Sequence, residues 1–218
     1  MKVVKPSFEI LTTIDKNDLY KQIELAARTC YKSEDKITDT SAIALVESLV
    51  KRGHMAMLEH ASVTVRFICD RGVSHEIVRH RVASYAQEST RYCNYGLGKH
   101  GKEITVVRPS FFEEDTPEYA MWYLACSNCE EMYMNLLSVG RSPQEARCVL
   151  PHSLKTEIIS TMNLREWAHF FDLRAIGTSG DPHPQIKEIA RPLLKAFAEA
   201  MPEVFGTQYE QIEFEYIQ

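Results

Sequence analysis

Apolar residues recur along the chain with two periods, and the change from one to the other marks out the elements. Residues 8–14 read as a β-strand, and 17–29 as a helix with Leu19, Ile23 and Ala26 along one side. Thr40 to Arg52 predict a second helix with a stripe of Ile43, Val46, Leu49 and Val50, and Gly53 stands where a terminating glycine belongs. Residues 61–67 alternate Ala61, Val63, Val65 and Phe67 against Ser62, Thr64 and Arg66, the pattern of a half-buried strand. Asp70 then caps a short helix that turns Val73, Ile77 and Val78 inward and delivers Arg79 at its end, after which the chain is expected to continue as a loop. Gly96, Gly98 and Gly101 mark a turn, and Ile104 to Val107 suggest another strand before Pro109.

The second half is more helical. Thr116 to Ser138 predict a long helix with Trp122, Ala125, Cys129, Met132, Leu136 and Leu137 as core positions. Ser142-Pro143-Gln144-Glu145 is a capping box that opens a short helix ending in Arg147-Cys148-Val149-Leu150-Pro151. Residues 153–162 are a β-favourable run containing Ile158 and Ile159. It leads into a second capping box, Asn163-Leu164-Arg165-Glu166, which explains Asn163 without any ligand. In the helix that follows, Arg165, His169 and Asp172 share one stripe, while Leu164, Trp167, Ala168 and Phe171 form the apolar side. Arg174 falls on the side of Trp167 and Phe170, where an arginine either snorkels or reaches for a partner. A Gly/Pro connection, Gly177 to Gln185, precedes an amphipathic helix of Ile186, Ile189, Ala190, Leu193, Leu194, Phe197 and Ala198. From Phe205 onward the tail is acidic and aromatic, and reads as a short strand or docking segment. Strands interspersed with helices, without regular βαβ spacing, predict an α+β fold in a single domain over residues 1–218.

Composition narrows the function classes. A chain of 218 residues buries roughly 70% of its unfolded surface and needs no metal or disulfide staple. A net charge of −5 argues against a general nucleic-acid binder, so arginines clustered near residue 80 suit a small anion better than a polymer. The six cysteines occur without a secretory signal and are expected to be reduced thiols in the cytoplasm. Cys126-Ser-Asn-Cys129 has CxxC spacing but lies in a helical pattern with no second pair, so packing is expected there and no metal site. No apolar run approaches ~18 residues, so no membrane span is expected.

The densest chemistry lies in Arg79-His80-Arg81-Val82-Ala83-Ser84-Tyr85-Ala86-Gln87-Glu88-Ser89-Thr90-Arg91-Tyr92. Arginine is costly to bury unpaired, so three in one short stretch need an anion or open water. The serines and Gln87 can donate to phosphate or carbonyl oxygens that the arginines fork onto. A solvated basic loop has the same composition. So does a module that grips a phosphorylated ligand or single-stranded RNA, with Tyr85 and Tyr92 stacking on bases.

The order of these residues, Arg79-His80-Arg81, seven residues, then Ser89 and Arg91, resembles the signature of flavin-dependent thymidylate synthases. Gly53-His54-Met55-Ala56-Met57-Leu58-Glu59-His60 is similar to that family's G-H-x-S/T-x-x-E-H element, which meets the flavin. Ala56 replaces the usual hydroxyl residue, so a contact there falls to the backbone. Arg147 to Pro151 is similar to the A-R-x-x-L-P segment, and Asn163 to Arg174 resembles the second signature, N-x-R-x-x-x-H-F-x-x-L-R. The connection from Gly177 to Gln185 is longer than in some members, which leaves His183 without a role carried over.

The resemblance implies an antiparallel sheet flanked by helices, a homotetramer with active sites shared between subunits, and no nucleic-acid partner. It implies reductive methylation of dUMP to dTMP, with carbon from 5,10-methylenetetrahydrofolate and reducing equivalents from NADPH through FAD. The implied dUMP residues are Glu76, Arg79, Gln87, Glu88, Ser89, Thr90, Arg91, Arg147 and Arg174, with Arg174 catalytic at the uracil ring. The implied FAD residues are His54, Ala56, Arg79, His80, Arg81, Gln87, Asn163, Arg165 and His169. Ser89 is read as a ligand and not a nucleophile, because no histidine–acid pair near it is identifiable as a base. Gln87 stands where the family has Glu or Gln, which argues against a carboxylate base at that place.

Overall fold

Asp15 starts the first helix, its carboxylate accepting from the amides of Asn17 at 2.9 Å and Asp18 at 3.4 Å. The structure, a computed structural model, describes residues 1–98 and 101–215. In chain order come β1 (Lys2–Val4), β2 (Ser7–Ile10), α1 (Lys16–Tyr31), α2 (Ser41–Lys51), β3 (Ser62–Asp70), α3 (Arg71–Ile77), β4 (Ala83–Gln87) and β5 (Thr105–Val107). They continue with α4 (Pro117–Ser138), α5 (Pro143–Ala146), β6 (Lys155–Asn163), α6 (Leu164–Phe171), α7 (Pro184–Ala200) and α8 (Pro202–Glu215). The described strands make an antiparallel sheet in the order β2-β3-β6-β4 and a parallel pair, β1 with β5, in which Val3 faces Val106. The expected α+β class with an antiparallel sheet is therefore present; the parallel pair is an addition.

Two compact units divide the chain. The first holds Met1–Ser7, Phe67–Arg79 and Tyr85–Ile159, and the second Phe8–Arg66, His80–Ser84 and Ser160–Gln218. The core of the first unit joins Tyr95, Ile104, Val106, Cys126, Tyr133, Ala146 and Leu154. The second is built on aromatic rings: Trp167 packs 5.9 Å from Phe171 and 5.2 Å from Phe197, and Phe205 closes on both phenylalanines at 5.7 and 5.2 Å. The Trp167 indole N–H donates to the Val63 carbonyl at 3.0 Å, so the ring is buried without an orphaned donor.

Four sequence expectations need correction. The stretch after Arg79 is not all loop: β4 alternates half-buried Ala83, Tyr85 and Gln87 with exposed Ser84 and Ala86, a strand whose polar composition masks its period of two. The tail is helix and not strand from Phe205 to Glu215, and residues 216–218 lie outside the described residues. Pro202 suits a first turn, and Val204, Phe205 and Ile212 are buried at helical spacing; the alternating acids and aromatics of the tail imitate a strand. On α4 Trp122, Leu136 and Leu137 pack against the core as expected, but the fully buried positions are Cys126 and Tyr133, and Ala125 and Met132 are exposed. Exposed Met121 and Leu124 make several faces of that helix apolar, so periodicity alone cannot pick one. Lastly, β2 ends at Ile10 and not near residue 14, while β3 runs on to Asp70. Part of the glycine turn, residues 99–100, lies outside the described residues.

Candidate active site

In the second unit the site grows from the start of α6. Asn163 accepts from the Glu166 amide at 2.9 Å, as a capping residue should. Glu166 does not return its carboxylate to the Asn163 amide. It turns instead to His80, with Oε1 3.2 Å from Nδ1. The other ring nitrogen, Nε2, accepts from Arg174 Nε at 3.3 Å. His80 is 3% exposed, with Phe170 5.0 Å from its ring centroid and His169 at 5.5 Å. Burial, then the charges of Arg174 and His169, pull its pKa from 6.5 down to about 4, so it is neutral at physiological pH. Burial raises the Glu166 pKa, against the lowering influence of His169 and Arg165.

Arg174 lies within a π-turn, Asp172–Ile176, the kind of local widening that recurs at functional sites. Gly177 ends it at φ +89°, where an added Cβ would come within 2.8 Å of Pro182 and 2.9 Å of the Gly180 carbonyl. Two side chains brace the turn. Gln208 donates to the Ala168 carbonyl at 2.9 Å and to Asp172 at 2.6 Å, and Arg191 donates to the Ala175 carbonyl at 3.1 Å.

Three residues of the expected flavin set share one cavity in this unit. His54, Ala56 and Arg165 line a space of about 390 Å³ with Leu49, Met55, Met57, Tyr31 and Ala27. The Arg165 guanidinium donates to Glu59 at 2.6 Å. His169 is exposed one turn beyond Arg165, Arg81 is exposed, and Asn163 remains the cap of α6.

The first unit gathers most of the expected nucleotide set. Gln87 Nε2 donates to Ser74 at 3.0 Å and Thr156 at 3.2 Å. Glu88 accepts from the Tyr95 hydroxyl at 2.8 Å and pairs with Lys155 at 2.9 Å, so its charge is matched locally. Ser89 bends the chain, its hydroxyl accepting from the Arg91 amide at 3.3 Å and its carbonyl from the Cys93 amide at 2.9 Å. Buried Thr90 accepts from Arg147 at 3.2 Å, joining residues 57 apart in sequence. Arg91 is exposed, its guanidinium 5.4 Å from the Tyr92 ring, and Arg79 is exposed at the end of α3, while Glu76 on the same helix is half-buried.

Sequence reasoning missed Glu166, Arg191 and Gln208. Glu166 already had a complete capping explanation, and nothing in the local pattern points to a partner 86 residues away. Arg191 sits on a helix read only for its apolar stripe, and Gln208 on a tail read as a strand or docking segment.

The family model for the thymidylate synthase complementing protein matches residues 12–203, across both units. A flavin-dependent thymidylate synthase of Geobacter sulfurreducens is 33% identical over 190 residues, 84% of this chain and 79% of the relative. Another, of Pyrococcus abyssi, is 34% identical over 168 residues, 77% of this chain and 67% of the relative. A crystal structure of a UMP/dUMP methylase from Streptomyces cacaoi, bound with 5-Br dUMP, has a TM-score of 0.77 at 24% identity and covers 98% of this chain and 97% of its own. That likeness concerns the fold, and the sequence relatives and family model carry the rest: the chain belongs to the thymidylate synthase complementing protein family.

Proposed function

We propose that this protein converts dUMP to dTMP by reductive methylation, taking the carbon from 5,10-methylenetetrahydrofolate and the reducing equivalents from NADPH through FAD. One observation carries the reading beyond the relatives' names. Two motifs about a hundred residues apart, the segment from Gly53 and the segment from Asn163, converge on one cavity through His54, Ala56 and Arg165. Its volume of about 390 Å³, apolar walls and an arginine able to exchange Glu59 for a ligand's anionic group suit a flat heterocycle with an anionic tail. When bound there, FAD supplies the reducing chemistry that turns a one-carbon unit into a methyl group.

The chain's own residues then have separate tasks. Arg165 and His54 hold the flavin at the cavity edge, with Arg81 and His169, exposed in the same unit, to reach the rest of it. Gln87, Ser89, Thr90, Arg91 and Arg147 anchor dUMP, the arginines on anionic oxygens and the hydroxyls on neutral ones. Uracil C5 is a poor nucleophile until electron density is pushed onto it. Arg174, held against a buried imidazole, stabilises the negative charge that develops on the ring carbonyl. A homotetramer with shared sites would let arginines exposed on one chain meet a ligand held by another.

Purified protein should carry a flavin absorption band that NADPH bleaches, and should form dTMP only when dUMP and the methylene folate are both present. Protein that binds no flavin and makes no dTMP under those conditions would overturn the reading.

A further inference from the structure

We propose that His80 is a positioning residue for Arg174: fixed in one tautomer by Glu166, its ring offers Nε2 to the Arg174 Nε–H and so sets the plane of the guanidinium. This rests on the reading that Arg174 meets the uracil ring, and it deepens that reading by naming what aims the arginine.

The tautomer follows from donor counting. An arginine Nε can only donate, so His80 Nε2, 3.3 Å away, must accept and carries no proton. The ring proton is then on Nδ1, where it faces Glu166 Oε1 at 3.2 Å, an oxygen that can accept it. A protonated imidazole would set a donor against a donor at Nε2, and burial between Phe170 and the helix keeps the ring neutral. Because the guanidinium is planar, holding its Nε fixes the plane in which its other nitrogens lie. The arrangement also explains the exposure pattern of the signature. Arg79 and Arg81 are exposed while His80 between them is 3% exposed, so the arginines can reach an anion as the imidazole faces inward.

The test uses the FAD-loaded enzyme. Nitrogen-15 spectra of histidine-labelled wild-type protein at pH 7 should show His80 with a protonated Nδ1 and a bare Nε2. The opposite tautomer, or an imidazolium, overturns the proposal without any variant. His80→Leu should keep its flavin, read by absorbance per chain, and lose roughly ten- to a hundredfold in dUMP affinity or in methyl formation at saturating dUMP. His80→Gln, whose carbonyl can accept from Arg174, should recover most of that loss. On an Arg174→Ala background, His80→Leu should add less than about twofold, since it acts through a group already removed. Flavin loss with unchanged dUMP binding, or fully multiplicative effects in the double variant, overturns the positioning role. If Arg174→Ala alone leaves dUMP binding and turnover intact, the uracil reading fails, while the tautomer measurement still decides whether His80 holds Arg174.

Discussion

Acid should weaken this fold through His80 before it protonates most of the carboxylates. The ring's ordinary pKa is 6.5 and its folded value about 4. Below pH 6.5 the unfolded chain takes up a proton that the folded chain refuses, so stability falls as pH drops through that window and is level above it. At 1.36 kcal/mol per pH unit, His80 alone removes up to roughly 3 kcal/mol by pH 4. Glu166 works the other way. Its raised pKa means that the folded chain binds a proton more tightly there, which regains stability on acidification and flattens the combined slope. The charged groups facing the ring are Arg174, His169 and Glu166, and the first two oppose protonation. The assay is urea unfolding from pH 7.5 to 4.5 for wild type and His80→Gln, with denaturant slopes checked for constancy. The wild-type curve should fall more steeply below pH 6.5, the two diverging by about 2 kcal/mol at pH 4.5. Parallel curves would show that His80 titrates normally in the folded protein, and would refute a buried neutral ring.

Other expectations follow from the same contacts. Arg165→Ala should change stability by less than ~1 kcal/mol, since its pair with Glu59 is solvent-exposed, yet weaken FAD binding roughly ten- to a hundredfold, measured by flavin retention on gel filtration. Ser89→Ala should raise the dUMP concentration needed by one to two decades while turnover survives; complete inactivity in folded, dUMP-saturated protein would identify a nucleophile instead. Gln208→Ala removes both braces it supplies between Ala168 and Asp172 and should cost about 1–3 kcal/mol, lowering the melting temperature by roughly 2–10 °C.

Much of the fold could be read from the sequence because local rules and tertiary packing agree there. Asp70 caps α3, Gly53 adopts φ +69° after α2, the alternation read over residues 61–67 matches their burial, and the β-favourable run forms β6. The stripe from Ile186 to Ala198 is buried as expected. What failed were segments whose local pattern is ambiguous: a polar strand at β4, an alternating tail that is helical, and a long helix with apolar residues on several sides. The wheel that places Arg174 half a turn from Arg165 also assumes 3.6 residues per turn throughout. The π-turn from Asp172 breaks that assumption one residue pair before Arg174.

The candidate site shows why a complete local explanation of a residue does not use it up. Asn163 and Glu166 match the capping box in sequence, and the amide half of that box forms. The carboxylate half is free to leave because the remaining donors of a helix's first turn can be satisfied elsewhere, whereas a buried imidazole facing an arginine cannot go without an acceptor for its proton. Satisfying Nδ1 is therefore the more demanding use of Glu166, and the chain makes that choice with Oε1 on His80. Once this is so, the short α6 joins the site's parts mechanically. Its first turn carries the carboxylate that sets the tautomer, its last turn carries the Phe170 ring that shields the imidazole, and its π-turn extension carries the arginine that the imidazole holds. A shift in the start of α6 would move all three together against the His80 ring, which lies outside the helix. Their placement against the imidazole thus depends on the Asn163 cap.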